Sequence, residues 1–315
     1  MAVSKASNVV FGGSWDKLIW SWDVTTARLG RKFVGHSDFV KALLCAKLGD
    51  TSLLISGGSD NKIIVWDAVG GSRLHTLQDP TVSMMAVQHL VLDPVLSTRE
   101  EVFIVSASSD PHIRRWKINS RSAEKLSDIE NDDEIGTGVG SSTIREHETS
   151  VYKLFFDIEN EEADLWTASA DGTAKCLARA RDFATEDEFA HGDYVRAVVV
   201  TSQWVVTAGR DEDVKVWDRA SGKLYCSLVG HFDEVTDLVL LRGSVGNRDR
   251  VCSVSIDGTL RAWPLDKIGL DRVVGEIKAA SERNSEGEKQ EEAVSALTAE
   301  EEAELAELAE LIDDD

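Results

Sequence analysis

The sequence of 315 residues is poor in basic side chains and contains no long apolar run. Lysine and arginine number 34 against 56 aspartate and glutamate residues, which gives a formal net charge of -22. Non-specific binding of nucleic acid or of an anionic membrane needs a basic surface, so we expect neither. The absence of any stretch of about 18 apolar residues argues against a membrane-spanning helix. We expect a soluble intracellular protein, cytoplasmic, nuclear or both.

Metal-binding and nucleotide-binding patterns are also missing. The four cysteines form no C-x-x-C pair, and we expect buried free thiols in a reducing compartment. The histidines His75, His89 and His112 lie far apart, and none has a second ligand at short spacing. The glycine-rich stretch of residues 136–140 has neither a preceding strand nor a lysine. The sequence therefore predicts no metal site and no cofactor.

What the sequence does contain is a repeat. Six times an aspartate is followed six residues later by a large apolar residue, which is tryptophan in five cases. The pairs are Asp16/Trp22, Asp60/Trp66, Asp110/Trp116, Asp171/Leu177, Asp211/Trp217 and Asp257/Trp263. Successive aspartates lie 44, 50, 61, 40 and 46 residues apart. A period of about 40 to 45 residues is typical of stacked four-stranded units.

Two further motifs accompany the aspartates and point to a known family. A histidine, twice preceded by glycine, opens several apolar runs, and Trp-Asp dipeptides close others. The histidines are His36, His147, His191 and His231, and the dipeptides are Trp22-Asp23, Trp66-Asp67 and Trp217-Asp218. Over roughly residues 8–275 the chain resembles the WD40-repeat family. The resemblance implies an all-β fold, a WD40 β-propeller.

The repeats and the composition suggest how the chain is divided. We expect six recognisable blade units, of which the first is incomplete because no histidine-led strand precedes it; the total is seven if N-terminal sequence is missing. We assign residues 1–275 to the propeller, with residues 119–146 as an inserted surface loop. Residues 276–297 are polar enough to predict a disordered linker. A capping box at Thr298 and Glu301 predicts a short acidic helix over residues 298–315.

The recurring histidine, hydroxyl and aspartate residues invite comparison with a catalytic triad, but their repetition argues against catalysis. By resemblance to the family, they form structural tetrads with a tryptophan, in which each buried polar atom has a partner. The three complete sets are His36, Ser56, Asp60 and Trp66; His191, Thr207, Asp211 and Trp217; and His231, Ser253, Asp257 and Trp263. The first unit has Gly12 at the hydroxyl position, the third lacks the histidine, and the fourth has Leu177 for tryptophan. We expect no enzyme.

The resemblance also indicates where a partner binds. In WD40 proteins, contacts concentrate on the narrow face, at residues flanking the first valine of the innermost strand and at the residue before the turn aspartate. Seven residues at these positions are aromatic or basic: Trp15, Phe39, Lys41, Tyr152, Tyr194, Arg196 and Arg210. Aromatic residues and arginine dominate binding energy at interfaces, and the cations favour an acidic or phosphorylated segment. Ordinary exposed side chains at blade tips are the alternative interpretation.

These features favour a non-catalytic protein-interaction scaffold that binds a peptide or protein on the narrow face and supports a multiprotein complex. One alternative is a substrate-recognition adaptor of a ubiquitin ligase. Another is a non-catalytic WD40 subunit of an RNA-modifying or ribosome-assembly complex. The partner's identity does not follow from the sequence, because a propeller is a scaffold for many unrelated functions.

Overall fold

The computed structural model describes residues 1–4, 8–79, 81–127, 141–158, 163–243 and 248–295. The chain divides into two compact units, residues 1–265 and residues 266–315. The first unit is built from strands in six antiparallel sheets. The described part of the second is a single helix, α1 (Lys267–Ser295). No helix in the described ranges combines the length and the hydropathy needed to cross a membrane.

The strands follow one another along the chain, sheet by sheet. The first sheet contains β1 (Ala2–Ser4), β2 (Val9–Gly13), β3 (Leu18–Asp23) and β4 (Leu29–Val34). The second contains β5 (Val40–Leu48), β6 (Thr51–Gly58), β7 (Ile63–Asp67) and β8 (Arg73–Leu77). The third contains β9 (Val87–Leu92), β10 (Glu101–Ser108), β11 (Ile113–Asn119), β12 (Ala123–Lys125) and β13 (Thr143–Ile144). The fourth contains β14 (Val151–Phe156), β15 (Leu165–Ser169), β16 (Thr173–Ala178) and β17 (Ala184–Ala190).

The last two sheets complete the series. The fifth contains β18 (Val195–Val200), β19 (Trp204–Gly209), β20 (Val214–Asp218) and β21 (Leu224–Leu228). The sixth contains β22 (Val235–Leu241), β23 (Arg250–Ser255) and β24 (Leu260–Pro264). Within each sheet, consecutive strands pair antiparallel, except that β13 pairs with β11. The first strand of each sheet contacts the first strand of the next. This arrangement confirms the predicted all-β WD40 propeller with six blade units.

The structure differs from the sequence expectation at the two ends of the series. The first sheet has an innermost strand after all, because β1 pairs with β2 and places Ala2 opposite Phe11. A three-residue strand is too short to show a two-residue alternation, so β1 could not be predicted from the sequence. In the described residues, the sheet with only three strands is the sixth.

The second difference concerns the predicted linker. The compact first unit ends at Leu265 rather than at residue 275, and α1 covers most of residues 276–297. The Asp266 side chain accepts a 3.0 Å hydrogen bond from the Gly269 amide, which caps the start of the helix. The segment is polar but rich in Ala, Glu and Lys, and these residues favour helix as well as solvation. The predicted acidic helix of residues 298–315 lies outside the described residues.

The third difference is that both described ends of the 119–146 segment belong to the third sheet. Strands β12 and β13 each pair with β11, so the insertion starts and finishes in regular structure. Residues 128–140, including the glycine-rich stretch, lie outside the described part of the chain.

The second to fifth sheets bury both faces against their neighbours. Leu54, Ile64 and Trp66 of the second sheet pack with Phe11 and Phe33 of the first. The opposite face of the second sheet packs on the third, and the same order continues through the fifth. A sheet buried on both faces has apolar residues in continuous runs, which explains segments such as IIVW in β7.

Candidate functional site

The histidine, serine, aspartate and tryptophan of the second sheet form one hydrogen-bonded chain. The Trp66 indole N–H donates to Ser56 Oγ at 2.8 Å. Ser56 Oγ lies 2.7 Å from His36 Nε2, and His36 Nδ1 lies 2.9 Å from Asp60. All bonds are satisfied when the Ser56 hydroxyl donates to Nε2 and the Nδ1 N–H donates to the carboxylate.

The same chain recurs in two other sheets. In the sixth sheet, Trp263 donates to Ser253 at 2.9 Å, and His231 lies 2.7 Å from Ser253 and 3.0 Å from Asp257. In the fifth sheet, the ring of His191 is reversed, so that Nδ1 faces Thr207 and Nε2 faces Asp211, each at 2.8 Å. Trp217 donates to Thr207, also at 2.8 Å. The three predicted tetrads are therefore each brought together.

The fourth sheet holds three of the four groups. His147 lies 2.7 Å from Asp171 and 2.6 Å from Thr167. Leu177 is fully buried at the tryptophan position and has no N–H to donate. The Thr167 hydroxyl also lies 3.4 Å from the Lys175 carbonyl.

This geometry does not suit nucleophilic catalysis. Ser56, Thr207 and Ser253 are completely buried, and each accepts a hydrogen bond from a tryptophan. A nucleophile must reach a substrate atom, and these hydroxyls face only protein. The Asp211 carboxylate is held ionised. Burial alone would raise the pKa of Asp211, but hydrogen bonds from His191 and Lys215 outweigh burial and lower its pKa to about 2.

The third sheet replaces the missing histidine with a buried arginine, which the sequence analysis did not identify. Arg114 is completely buried, and its Nε donates to Asp79 at 2.7 Å. Its Nη1 donates to Asp110 at 3.0 Å, and Lys125 approaches Asp79 to 3.1 Å. A basic residue also stands four positions after the turn aspartate in the next three sheets. These residues are Lys175, Lys215 and Arg261. That recurrence is the sequence signal that could have identified Arg114.

The turn aspartates Asp16, Asp60, Asp110, Asp171, Asp211 and Asp257 mark one end of the sheets, which we call the aspartate end. At this end, the first strands of the second, fourth, fifth and sixth sheets each contain a β-bulge directly after their first valine. The residues without a partner in the ladder are Lys41, Tyr152, Arg196 and Thr236. A bulge redirects a side chain out of the regular alternation. Three of the seven predicted binding residues are therefore placed by bulges.

A glycine supports the bulge of the fifth sheet. Gly209 pairs with Val195, and a Cβ atom added to Gly209 would collide with the Tyr194 carbonyl. The Arg210 amide donates to the same carbonyl at 3.0 Å. Close backbone approach of this kind accounts for the glycine just before Arg210.

The aromatic and basic side chains at the aspartate end pair with one another. The Arg196 guanidinium lies 4.1 Å from the centre of the Tyr152 ring, and its Nε donates to Glu234. The Arg210 guanidinium lies 4.2 Å from the Tyr194 ring. Such stacking presents an arginine in a fixed orientation.

The third aromatic group is more open to solvent. The rings of Trp15 and Phe39 stack with their centres 5.6 Å apart, although they come from different sheets. Trp15 is 80% exposed and Phe39 is 40% exposed. Phe232 lies at the same end, because its amide donates to Asp257, and its side chain is 79% exposed. This residue was not among the predicted binding residues.

Lys41 is coupled to Arg196 although the two residues come from the second and fifth sheets. The Lys41 side chain is solvent-exposed, yet the protein atoms around it partly desolvate the ammonium group and lower its pKa. The positive charge of Arg196 lowers this pKa further, while Asp38 opposes the effect. Among the described residues, Lys41 has no ion pair. An anion at this position would relieve the repulsion between the two cations.

Two other features away from the aspartate end have less support as sites. Asp164, Cys176 and Glu186 bring three possible metal ligands within 4.8 Å, within the ranges that the structure describes. Burial first, and then Asp164, raise the pKa of the Cys176 thiol to about 12, so the thiol is protonated near neutral pH. A groove of about 1040 Å³ lies between the second and third sheets, lined by Leu53, Val65 and Ile118 among others.

Comparison with known proteins identifies the repeats. The family described as "WD domain, G-beta repeat" matches residues 27–67 and 186–218. An uncharacterised WD repeat-containing protein of Schizosaccharomyces pombe is 30% identical over 263 residues, which cover 82% of this chain and 62% of the relative. A nuclear distribution protein PAC1 of Arthroderma otae is 26% identical over 270 residues, covering 82% of this chain and 57% of the relative. Small ribosomal subunit protein RACK1y of Oryza sativa subsp. japonica is 26% identical over 112 residues, covering 36% of this chain and 30% of the relative.

The chain thus spans roughly 60% of the length of the first two of these relatives. The names of these three relatives include no enzymatic activity. With the aspartate and tryptophan repeat, the six sheets and the buried tetrads, these similarities place the chain in the WD40-repeat family.

Proposed function

We propose that this chain is a non-catalytic interaction scaffold that binds an acidic or phosphorylated segment of a protein partner at its aspartate end. The observation that supports this most directly is the set of bulges, because they direct Lys41, Tyr152 and Arg196 away from the ladders of three different sheets. The scaffold then holds its partner within a multiprotein complex.

The chemistry of the surface sets the kind of partner. Arg196 is already paired with Glu234, and Arg210 lies 3.1 Å from Asp193, so these guanidinium groups must exchange partners to bind an anion. Lys41 has no such pair among the described residues, and it gains most from an incoming carboxylate or phosphate. The exposed Trp15 and Phe39 rings offer apolar contact at the same end of the sheets.

The experiment is affinity purification with mass spectrometry of the native chain and of a variant with Phe39, Tyr194, Arg196 and Arg210 all changed to alanine. A matched control changes Arg99, Arg121 and Leu74, which line the groove at the other end of the sheets. All three proteins must first show the same melting temperature. A partner that the native chain and the control retain, and the quadruple variant loses, supports the proposal.

Retention of every partner by the quadruple variant would place binding elsewhere on the molecule and refute the proposed site. The identity of the retained partner also separates the more specific roles. A cullin adaptor would favour recognition of substrates for a ubiquitin ligase. A methyltransferase or a ribosome-assembly factor would favour a supporting subunit of an RNA-modifying or ribosome-assembly complex.

A further inference from the structure

A stacked pair of aromatic rings joins the first and second sheets at the aspartate end. Trp15 lies in the turn between β2 and β3, and Phe39 directly precedes β5. The two rings are inclined by only 21° to each other. Most of the Trp15 side chain stays open to solvent in spite of the stack. The exposed indole is therefore an apolar surface that one further side chain can cover.

The backbone beside each ring holds the stack in place before a partner binds. The Ser14 carbonyl accepts a 3.1 Å hydrogen bond from the Val40 amide, which ties the turn of the first sheet to the start of β5. Gly13 permits this approach, because a Cβ atom there would lie 2.7 Å from the Val40 carbonyl oxygen. The Phe39 carbonyl accepts from the Ser59 amide at 2.8 Å. A surface that is already ordered loses little conformational entropy on binding.

The repeat itself does not require this stack. Trp15 is the residue before the turn aspartate of one sheet, and Phe39 is the residue before the first valine of the next. Between the other consecutive sheets, the same two positions are not both aromatic. They are occupied by Ser59 and Ala86, Ser109 and Ser150, Ala170 and Tyr194, and Arg210 and Glu234. Because the fold forms without an aromatic pair at these junctions, contact with a partner is the role that remains for the stack.

The unpaired cation of the aspartate end comes from the same short stretch of chain. Lys41 follows Phe39 by two positions, so their Cα atoms lie within about 7 Å of each other. The Lys41 side chain is solvent-exposed, and it has no ion pair among the residues that the structure describes. An apolar surface and an unpaired positive charge thus start from positions that are close in the fold.

We propose that the partner segment binds in extended conformation and carries a large apolar side chain two residues from its acidic or phosphorylated residue. The apolar side chain covers Trp15 and Phe39, while the anion binds Lys41. In an extended chain, residues two apart point to the same side and lie about 7 Å apart, which matches the separation of Phe39 from Lys41. Adjacent residues point to opposite sides, so only one of them can face the site. This pattern rests on the proposed function, which supplies the acidic segment, and it adds the apolar anchor.

The probes are short fluorescent peptides of glycine and serine that contain one phosphoserine and one phenylalanine two positions apart, in either order. Two matched peptides replace the phenylalanine with alanine or move it next to the phosphoserine. Fluorescence anisotropy measures the affinity of each peptide for the full chain. We expect the first peptide to bind at least about tenfold more tightly than either matched peptide.

Two pairs of variants test the protein side of the contact. Trp15→Ala should abolish the preference for phenylalanine, whereas the matched control Phe232→Ala should keep it, because Phe232 is exposed to a similar extent at the same end but is not part of the stack. Lys41→Gln should weaken the binding of every phosphoserine peptide. Its control is Lys47→Gln, near the opposite end of β5, which should bind as the native chain does. All four variants must first show the melting temperature of the native chain.

Equal affinity of the three peptides for the native chain would overturn the inference, as would a loss in Phe232→Ala as large as that in Trp15→Ala. The affinity purification tests the proposed function separately. A partner that the quadruple variant loses, but that Trp15→Ala binds with unchanged affinity, would leave the proposed function standing and overturn only the apolar anchor. Retention of every partner by the quadruple variant, together with no binding of any peptide, would overturn both.

Discussion

Arg114 donates a 2.7 Å hydrogen bond to Asp79, and both side chains are completely buried. Burial alone would raise the pKa of Asp79, but hydrogen bonds from Thr81, Arg114 and Lys125 outweigh it and hold this pKa well below its usual range. The arginine thus takes the place that a histidine holds in four of the other sheets. Two carboxylates, Asp79 and Asp110, depend on it for their charge balance.

Replacing Arg114 with leucine should therefore destabilise the protein strongly. The change leaves Asp79 and Asp110 buried without their main cation, and breaking a buried pair in this way costs about 3 to 5 kcal/mol. The free energy of unfolding in urea, at neutral pH, measures the loss.

The control for this prediction is Arg99→Leu. Arg99 pairs with Asp50 at 2.9 Å, but both side chains are largely exposed. Loss of such a surface pair costs less than about 1 kcal/mol. Comparable losses in the two variants would show that the Arg114 cluster has no special structural role.

Substitutions in the tetrads should destabilise the protein, whereas substitutions of the proposed binding residues should change its stability little. Asp60 is almost fully buried beside His36, so Asp60→Ala should lower the free energy of unfolding by about 2 kcal/mol or more, since it leaves the imidazole without its acceptor. Tyr194→Ala combined with Arg196→Ala removes side chains at the aspartate end and should shift the melting temperature little. Differential scanning calorimetry of both variants checks the contrast. Similar losses in both would contradict the division into structural and binding residues.

Stability should fall in acid partly because of Asp211. Its pKa is lowered to about 2 in the folded protein, against about 3.9 in an unfolded chain. A carboxyl group with a lowered folded-state pKa contributes stability above its unfolded pKa and loses it as the pH falls towards the folded value. Urea unfolding of the native chain and of Asp211→Asn should therefore differ at pH 7, and the difference should shrink between about pH 5 and pH 2. A difference that stays constant or grows in acid would show that the carboxylate charge is not responsible.

The sequence predicted the parts of the molecule that repeat locally. The spacing from Asp60 to Trp66 returns in each unit because each sheet needs the same turn and the same packed strand. The pairing of Arg114 with Asp79 was missed because the two residues lie 35 positions apart in the chain. A contact between residues so far apart in the chain depends on how the strands pack in the fold, and it cannot be predicted from composition.

The candidate site was predicted by position but not by geometry. Lys41, Tyr152 and Arg196 were selected from the resemblance, whereas the bulges that redirect them are a property of strand register. The ion pair between Arg196 and Glu234 could not be predicted either, because it forms only when two neighbouring sheets pack together. The helix α1 was missed for a different reason. Polar residues with high helix propensity also satisfy the compositional criterion for disorder.

Glu234 should act as an internal competitor for the partner at the aspartate end. Its carboxylate accepts from Arg196 Nε, and a carboxylate or phosphate of the partner would have to displace it. Glu234→Gln removes the negative charge at nearly constant size, so Arg196 should bind an acidic partner more tightly and with slower dissociation. The measurement is the dissociation rate of the protein retained in the affinity purification, by surface plasmon resonance at two salt concentrations. Asp193→Asn, beside Arg210, is a second variant of the same kind and should act in the same direction. Faster dissociation from the Glu234→Gln variant would indicate that Glu234 orients Arg196 for binding rather than competing with the partner.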